Sequence, residues 1–314
     1  MYVATLIADR ALDDTTFYEW VHQFGMDWTA AGTISAADWI DQDCAGEIVF
    51  APSETFQAAD CAHLAIGLAD LAECIATADG YSSLKVDCIV QPVAGREKRL
   101  LVADMDSTMI TVECIDELAD YAGIKPQIAA ITEAAMRGEL DFSSALDARV
   151  ALLAGLDAGV IDRCLAERVV HMAGARTLIA TMRARGNRCV LVSGGFTRFA
   201  EPVAAALGFD RAIANELLIA DGRLTGAVRK PIVGAETKLA TLRAEAAALG
   251  IGLEATLAVG DGANDLPMVQ AAGLGVAYHA KPIVAAAAGA RIEHGDLTTL
   301  LWAQGIARAA WVTD

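Results

Sequence analysis

The residues Asp104-Met105-Asp106-Ser107-Thr108 place two carboxylates at positions i and i+2, directly after the apolar run Leu100–Ala103. Carboxylates at the exit of a strand are poor packing residues. Held close, their like charges repel and raise at least one pKa. One can then stay ionised as a nucleophile while the other carries a proton as an acid. Three further segments supply what such a pair lacks. Val192-Ser193-Gly194-Gly195 offers a hydroxyl and exposed backbone amides at a helix start, suited to phosphate oxygens. Lys238 lies early in a helix predicted over Glu236–Leu249, where its charge reaches an anion. Gly260-Asp261-Gly262-Ala263-Asn264-Asp265 adds two carboxylates and an amide between small residues, after another apolar run.

These segments need one scaffold to bring them together. Leu100–Ala103, Arg188–Val192, Thr256–Val259 and Gly275–Ala277 are near-continuously apolar. Helices predicted at Arg176–Arg185, Arg198–Leu207, Glu236–Leu249 and Leu266–Ala272 alternate with them. The pattern predicts an α/β fold, a parallel sheet flanked by helices on both faces. Ligands sit at the carboxyl ends of such strands, which is where the polar motifs fall. Residues 111–172 read as mainly helical and are too long for a plain βα loop, so a helical cap over the strand ends is predicted there. Asn215–Val228, with Asp221-Gly222 in its middle, predicts a β-hairpin. Ahead of all this, residues 1–90 predict a separate α+β domain. Its strands are Tyr2–Ala8, Glu47–Ala51 and Leu84–Val90, and its helices Asp14–Phe24 and Phe56–Ala78. Residues 91–98 combine Pro, Gly and a charge run and read as a linker to a second domain at 99–314.

Composition narrows the function classes. A chain of 314 residues suits two domains. Its 24 Lys+Arg against 41 Asp+Glu give a net charge of −17, which argues against a nucleic-acid or anionic-membrane surface. Charged and polar residues interrupt every long apolar stretch, so no membrane span is expected. Asp9 and Arg10 precede any signal-like apolar core. The seven cysteines are scattered without a CxxC pair, which predicts free thiols and a cytoplasmic location.

The four motifs, in this order, resemble the haloacid dehalogenase (HAD) superfamily over roughly Arg99–Ile292. Within it the likeness is to members that hydrolyse O-phospho-L-serine. It is carried by the DMDST loop, Glu113, the segments Glu133–Phe142 and Arg149–Leu153, Val192–Phe196 and Val259–Asp265. The resemblance implies a Mg2+-dependent phosphomonoesterase that works through an aspartyl-phosphate and completes serine biosynthesis. It implies Asp104 as nucleophile and Asp106 as the acid that protonates the leaving serine oxygen and later activates water. In dehalogenases, whose halide leaves unaided, the second Asp is typically absent. Mg2+ is implied on the Asp104 carboxylate, the Asp106 backbone carbonyl and Asp261. Ser193, Gly194 and Lys238 are implied on the phosphate, Asn264 on substrate or phosphate, and Asp265 behind Lys238 or a metal-bound water. From the cap, Glu113 suits the substrate ammonium and Arg149 its carboxylate, with Met136 and Phe142 on the apolar wall. The partner implied is thus a small molecule, with neither nucleic acid nor membrane. The N-terminal domain is similar in size and position to the ACT-like domains of longer members, which implies a homodimer or a bound regulatory ligand. Two alternatives stay open: another small phosphomonoester such as phosphohomoserine, and an amino-acid sensor with a vestigial catalytic domain.

Overall fold

The computed structural model describes residues 1–78, 84–137 and 139–313. The N-terminal unit runs β1 (Tyr2–Ala8), α1 (Asp14–Asp27), β2 (Gly32–Asp41), β3 (Ala45–Pro52), α2 (Cys61–Ala78) and β4 (Val86–Pro92). Its antiparallel sheet has the order β2-β3-β1-β4. This is a ferredoxin-like split βαβ arrangement. Asp13 caps α1 by accepting from the Thr16 amide at 2.8 Å. Leu6, Phe17, Trp20, Phe24, Ile48, Phe50 and Leu68 are fully buried between the sheet and its two helices. The sequence pattern did not announce β2. It is an edge strand, and two register shifts break its alternation.

The second unit holds β5 (Leu100–Ala103), then four cap helices, α3 (Cys114–Tyr121), α4 (Lys125–Met136), α5 (Phe142–Ala151) and α6 (Gly159–Glu167). It continues with α7 (Ala175–Ala184), β6 (Arg188–Phe196), α8 (Thr197–Leu207), β7 (Arg211–Asn215), the hairpin β8 (Leu217–Ala220) and β9 (Arg223–Val228), and α9 (Ala235–Ala248). It ends with β10 (Thr256–Gly260), α10 (Leu266–Ala271), β11 (Leu274–Tyr278), α11 (Pro282–Ala287), β12 (Ala290–Ile292) and α12 (Thr299–Ala303). Six strands form a parallel sheet of order β12-β11-β10-β5-β6-β7. The strands are apolar on both sides because both faces are covered. Leu100 and Val102 pack with Leu242, Met268 and Val284 on one face. Leu101 and Ala103 pack with Leu178, Ile179, Phe199 and Leu300 on the other.

The chain winds outward in one direction through β5, β6 and β7, and in the other through β10, β11 and β12. The strand order therefore reverses between β5 and β10, and a crevice opens at their carboxyl ends. The cap leaves and re-enters the core through a short paired stem, in which the Thr111 amide donates to Val170 O at 3.0 Å and the Met172 amide to Met109 O at 2.9 Å. The β8–β9 hairpin is stitched to the α5–α6 connection by Gly155 N to Leu224 O at 2.8 Å and Leu224 N to Leu156 O at 2.9 Å. It is part of the cap's support rather than a free turn.

The junction between the units is packed. β4 continues through Pro92, two residues into the stretch that reads as a linker. Buried Gln91 donates to Ala303 O at 2.7 Å, and the Lys98 amide donates to Gln304 Oε1 at 2.9 Å. Asp87 on β4 accepts from the amides of Glu293 at 2.8 Å, His294 at 3.3 Å and Gly295 at 2.7 Å. Among the described residues no helix is long and apolar enough to cross a membrane.

Candidate active site

β5 and β10 deliver Asp104 and Asp261 to the two sides of the crevice. The Asp104 amide donates to Val259 O at 3.0 Å, which ties the two strand ends together just below the carboxylates. Lys238 reaches the same point from the first turn of α9. It is fully buried and pairs with Asp104 Oδ1 at 2.7 Å and Asp265 Oδ1 at 2.6 Å. A lysine is almost never buried to this extent without such partners. Burial alone lowers its pKa, but the two carboxylates outweigh that and hold the ammonium charged.

One oxygen each of Asp104, Asp261 and Asp265 lies within 4.8 Å of the others. Burial and the Asp265 charge push Asp104 well above the usual carboxylate range, against the pull of Lys238. Burial, with Asp265 and Glu113, pushes Asp261 up to about 7. Such crowding is unfavourable for the protein alone and is relieved by a cation. The donors are all hard oxygens, which suits a hard divalent ion. Asp265 is the least available of the three. Its Oδ1 faces Lys238, and its Oδ2 accepts from the Gly262 amide at 2.9 Å. It anchors Lys238 and the acidic loop through both oxygens, whereas Asp104 engages Lys238 and Asp261 engages Thr108 through one oxygen each.

Asp106 turns away from this cluster toward the cap. It accepts from the Cys114 amide at 3.1 Å and from Ser193 Oγ at 3.4 Å. Burial, then the Glu113 charge, pushes it up to about 6. Ser193 Oγ also accepts from the Gly195 amide at 2.8 Å. A Cβ on Gly195 would fall 2.5 Å from Asp106 Oδ2, so glycine is what lets the loop approach the carboxylate. β6 extends through these residues to Phe196, and the loop is a break in its pairing with β7.

The cap contributes from above. Phe142, the first residue of α5, packs on the glycines of two loops: a Cβ on Gly194 would fall 2.9 Å from its ring and one on Gly234 3.2 Å. Asn264 Nδ2 is 3.6 Å from the same Gly194 Cβ position. Arg149 is half-buried on α5, and its Nε donates to Ala145 O at 3.3 Å. It makes no ion pair among the described residues. Burial lowers its pKa, opposed by the charges of Asp116, Glu113 and Asp106 around it. Exposed Glu113 precedes α3 and accepts from Ser107 Oγ at 2.7 Å. Met136 closes α4, and its side chain lies outside the described residues.

Three residues of the site carry contacts that spacing alone did not reveal. Thr108 Oγ1 donates to Asp261 Oδ1 at 3.2 Å, Ser107 holds Glu113, and Cys114 holds Asp106. Ser107 does so from the left-handed region, at φ 56°. Its place in the DMDST loop was the only available signal.

A sequence profile of haloacid dehalogenase-like hydrolases matches residues 101–270. The chain belongs to that family. A phosphoserine phosphatase from Mycobacterium tuberculosis is 52% identical over 216 residues, which is 69% of this chain and 53% of that protein. The chain thus spans about half the length of such curated relatives. The crystal structure of a HAD family hydrolase from Salmonella enterica serovar Typhi superposes with a TM-score of 0.77 at 27% identity, covering 98% of this chain and 99% of that one. The structure of a probable phosphoserine phosphatase from Vibrio cholerae gives 0.72 at 30% identity, covering 98% and 88%. Both matches extend over the N-terminal α+β domain as well as the hydrolase unit.

Proposed function

We propose that this HAD hydrolase is a Mg2+-dependent phosphatase that converts O-phospho-L-serine to L-serine and phosphate, the closing reaction of serine biosynthesis. The observation that carries the reading is the division of labour between two neighbouring carboxylates. Asp104 lies against a buried lysine within the carboxylate cluster suited to a cation, while Asp106 stands apart from that cluster and is held by Ser193 Oγ and the Cys114 amide. In this reading Asp104 attacks phosphorus and becomes an acyl phosphate as the seryl oxygen leaves. Asp106 gives that oxygen its proton, then takes one from the water that cleaves the acyl phosphate. Lys238, Ser193 Oγ and the Gly194 amide hold the non-bridging oxygens, where charge develops. Asp104, Asp261 and the Asp106 carbonyl would hold Mg2+, which when bound offsets the repulsion between the Asp104 carboxylate and the phosphate dianion.

The substrate assignment rests on the cap and on the names of the relatives. Arg149 is a guanidinium with no ion pair to a carboxylate among the described residues, able to grip one with two parallel hydrogen bonds. Glu113 is an exposed carboxylate at the same rim, suited to an ammonium. Phe142 covers the phosphate loops and excludes water. The test is a kinetic comparison of phosphoserine, phosphothreonine and phosphohomoserine, with Mg2+ and after chelation. Phosphoserine is expected to have the highest kcat/KM, and chelation to remove turnover until Mg2+ is returned. A different preferred ester overturns the roles of Glu113 and Arg149. No phosphatase activity on any ester in the presence of Mg2+ overturns the reading as a whole.

A further inference from the structure

Asn215 ends β7 and is 2% exposed. The β6–β7 pairing passes from Val192↔Ile213 to Phe196↔Asn215, so residues 193–195 of β6 face Ala214 alone. The Ser193–Gly194 loop therefore bulges out of the β6–β7 ladder. The Asn215 side chain holds this bulge and the segment before α9. Its Nδ2 donates to Gly194 O at 2.9 Å and to Val233 O at 3.2 Å, and its Oδ1 accepts from the Val233 amide at 2.7 Å. The orientation of the amide is unambiguous, because the Val233 N–H can only donate. Val233 adjoins Gly234, whose carbonyl accepts from the Lys238 amide at 3.0 Å in the first turn of α9. One buried side chain thus joins the loop bearing Ser193 to the start of the helix bearing Lys238. Gly194 and Gly234, the glycines on either side of this joint, are the two on which Phe142 rests.

We propose that Asn215 is a positioning residue for phosphoryl transfer: its amide fixes the spacing between the Ser193–Gly194 loop and Lys238, and with it the floor that the cap closes on. The proposal rests on the phosphatase reading above. Contacts to the non-bridging oxygens tighten as charge builds on them, so loosening one holder against the other lowers kcat more than it raises KM. Asn215→Ala removes all three bonds. Asn215→Asp keeps the shape and the acceptor for Val233 N–H but turns a second oxygen toward two carbonyls. In the full chain with Mg2+, both variants are expected to lose about 10–100-fold in kcat, with KM for phosphoserine within about 3-fold of wild type. Inhibition by orthovanadate should weaken in parallel with kcat. Circular dichroism and thermal melting report the folded fraction, to which each rate is normalised. Folded variants with wild-type kcat and vanadate affinity overturn the proposal. So does loss of fold in both variants, which makes Asn215 a purely structural residue. A wild-type chain that is inert toward phosphoserine and p-nitrophenyl phosphate alike overturns the parent reading together with this one. Activity on p-nitrophenyl phosphate alone overturns only the choice of substrate, and the variants are then compared on that ester.

Discussion

At the scale of single residues, the site works by giving like groups unlike surroundings. Asp104 and Asp106 are two positions apart, yet one faces Lys238 and the other a backbone amide and a serine hydroxyl. Asp104→Asn keeps the shape but removes the nucleophile, and an amide oxygen does not form a stable acyl phosphate. Turnover is expected to fall by at least about 10^4-fold, and acid-quenched reactions with radiolabelled substrate should trap no phosphoprotein. Phosphoprotein at wild-type yield in that variant would falsify Asp104 as the nucleophile. Arg149 is a different case, because its proposed role is binding only. Arg149→Lys keeps the charge and loses the planar fork that matches a carboxylate. KM for phosphoserine is expected to rise about 10–100-fold. Turnover of p-nitrophenyl phosphate, which lacks the amino-acid group, should stay near wild type. An equal loss on both substrates places Arg149 in the phosphate chemistry instead.

At the scale of elements, α9 must hold Lys238 in register with the sheet, and Glu245 on the same helix does part of that work. Glu245 is nearly buried and pairs with Arg188 of β6 at 2.7 Å and Arg211 of β7 at 2.8 Å. Burial alone raises its pKa, but the two guanidinium groups outweigh this and hold it below the usual glutamate value. A depressed folded pKa means stabilisation that is present above the unfolded value and lost as pH falls through the folded one. Glu245→Gln should therefore cost about 1–2 kcal/mol at neutral pH, since both arginines are partly exposed and screened. The melting-temperature gap to wild type should close as pH drops below about 4.5. A gap that is constant with pH assigns the loss to packing. The same helix shows what was legible in the sequence. Its span was legible to within a residue at each end. β5, β10, β11 and the first five residues of β6 could be read because strands buried on both faces are unbroken apolar runs whose following polar residues stand out. The polar loop Ser193–Gly195 hid the rest of β6, which runs to Phe196. β2 and β12 could not be read this way. β2 is a bulged edge, and β12 is only three residues long. The strand-end residues of the site were visible as motifs. The contacts of Cys114 with Asp106 and of Asn215 with Val233 were not, because they depend on which segments the tertiary fold brings together.

At the scale of the whole molecule, the net charge of −17 describes the surface and says little about the crevice, where three carboxylates and a buried lysine set the local field. The junction between the two units follows similar logic with the charge reversed in role. Asp87 brings a buried carboxylate from the N-terminal sheet into a cradle of backbone amides at residues 293–295, just after β12. A carboxylate so placed needs no cationic partner, because successive N–H groups supply the positive field. It also fastens β4 to the edge of the parallel sheet, next to the hydrogen bond from Gln91 to Ala303 O. Asp87→Ala leaves those amides without an acceptor inside the junction and should cost about 2–4 kcal/mol, the range for losing charge-assisted hydrogen bonds and stranding their donors. The cost falls on the coupling between the units, because each has its own apolar core. In scanning calorimetry the wild-type chain is expected to melt as one transition and the variant as two, with the smaller, N-terminal transition moved to lower temperature. A single transition at an unchanged midpoint in Asp87→Ala means that the apolar contacts of Ile7, Ala45 and Trp302 hold the junction without the cradle.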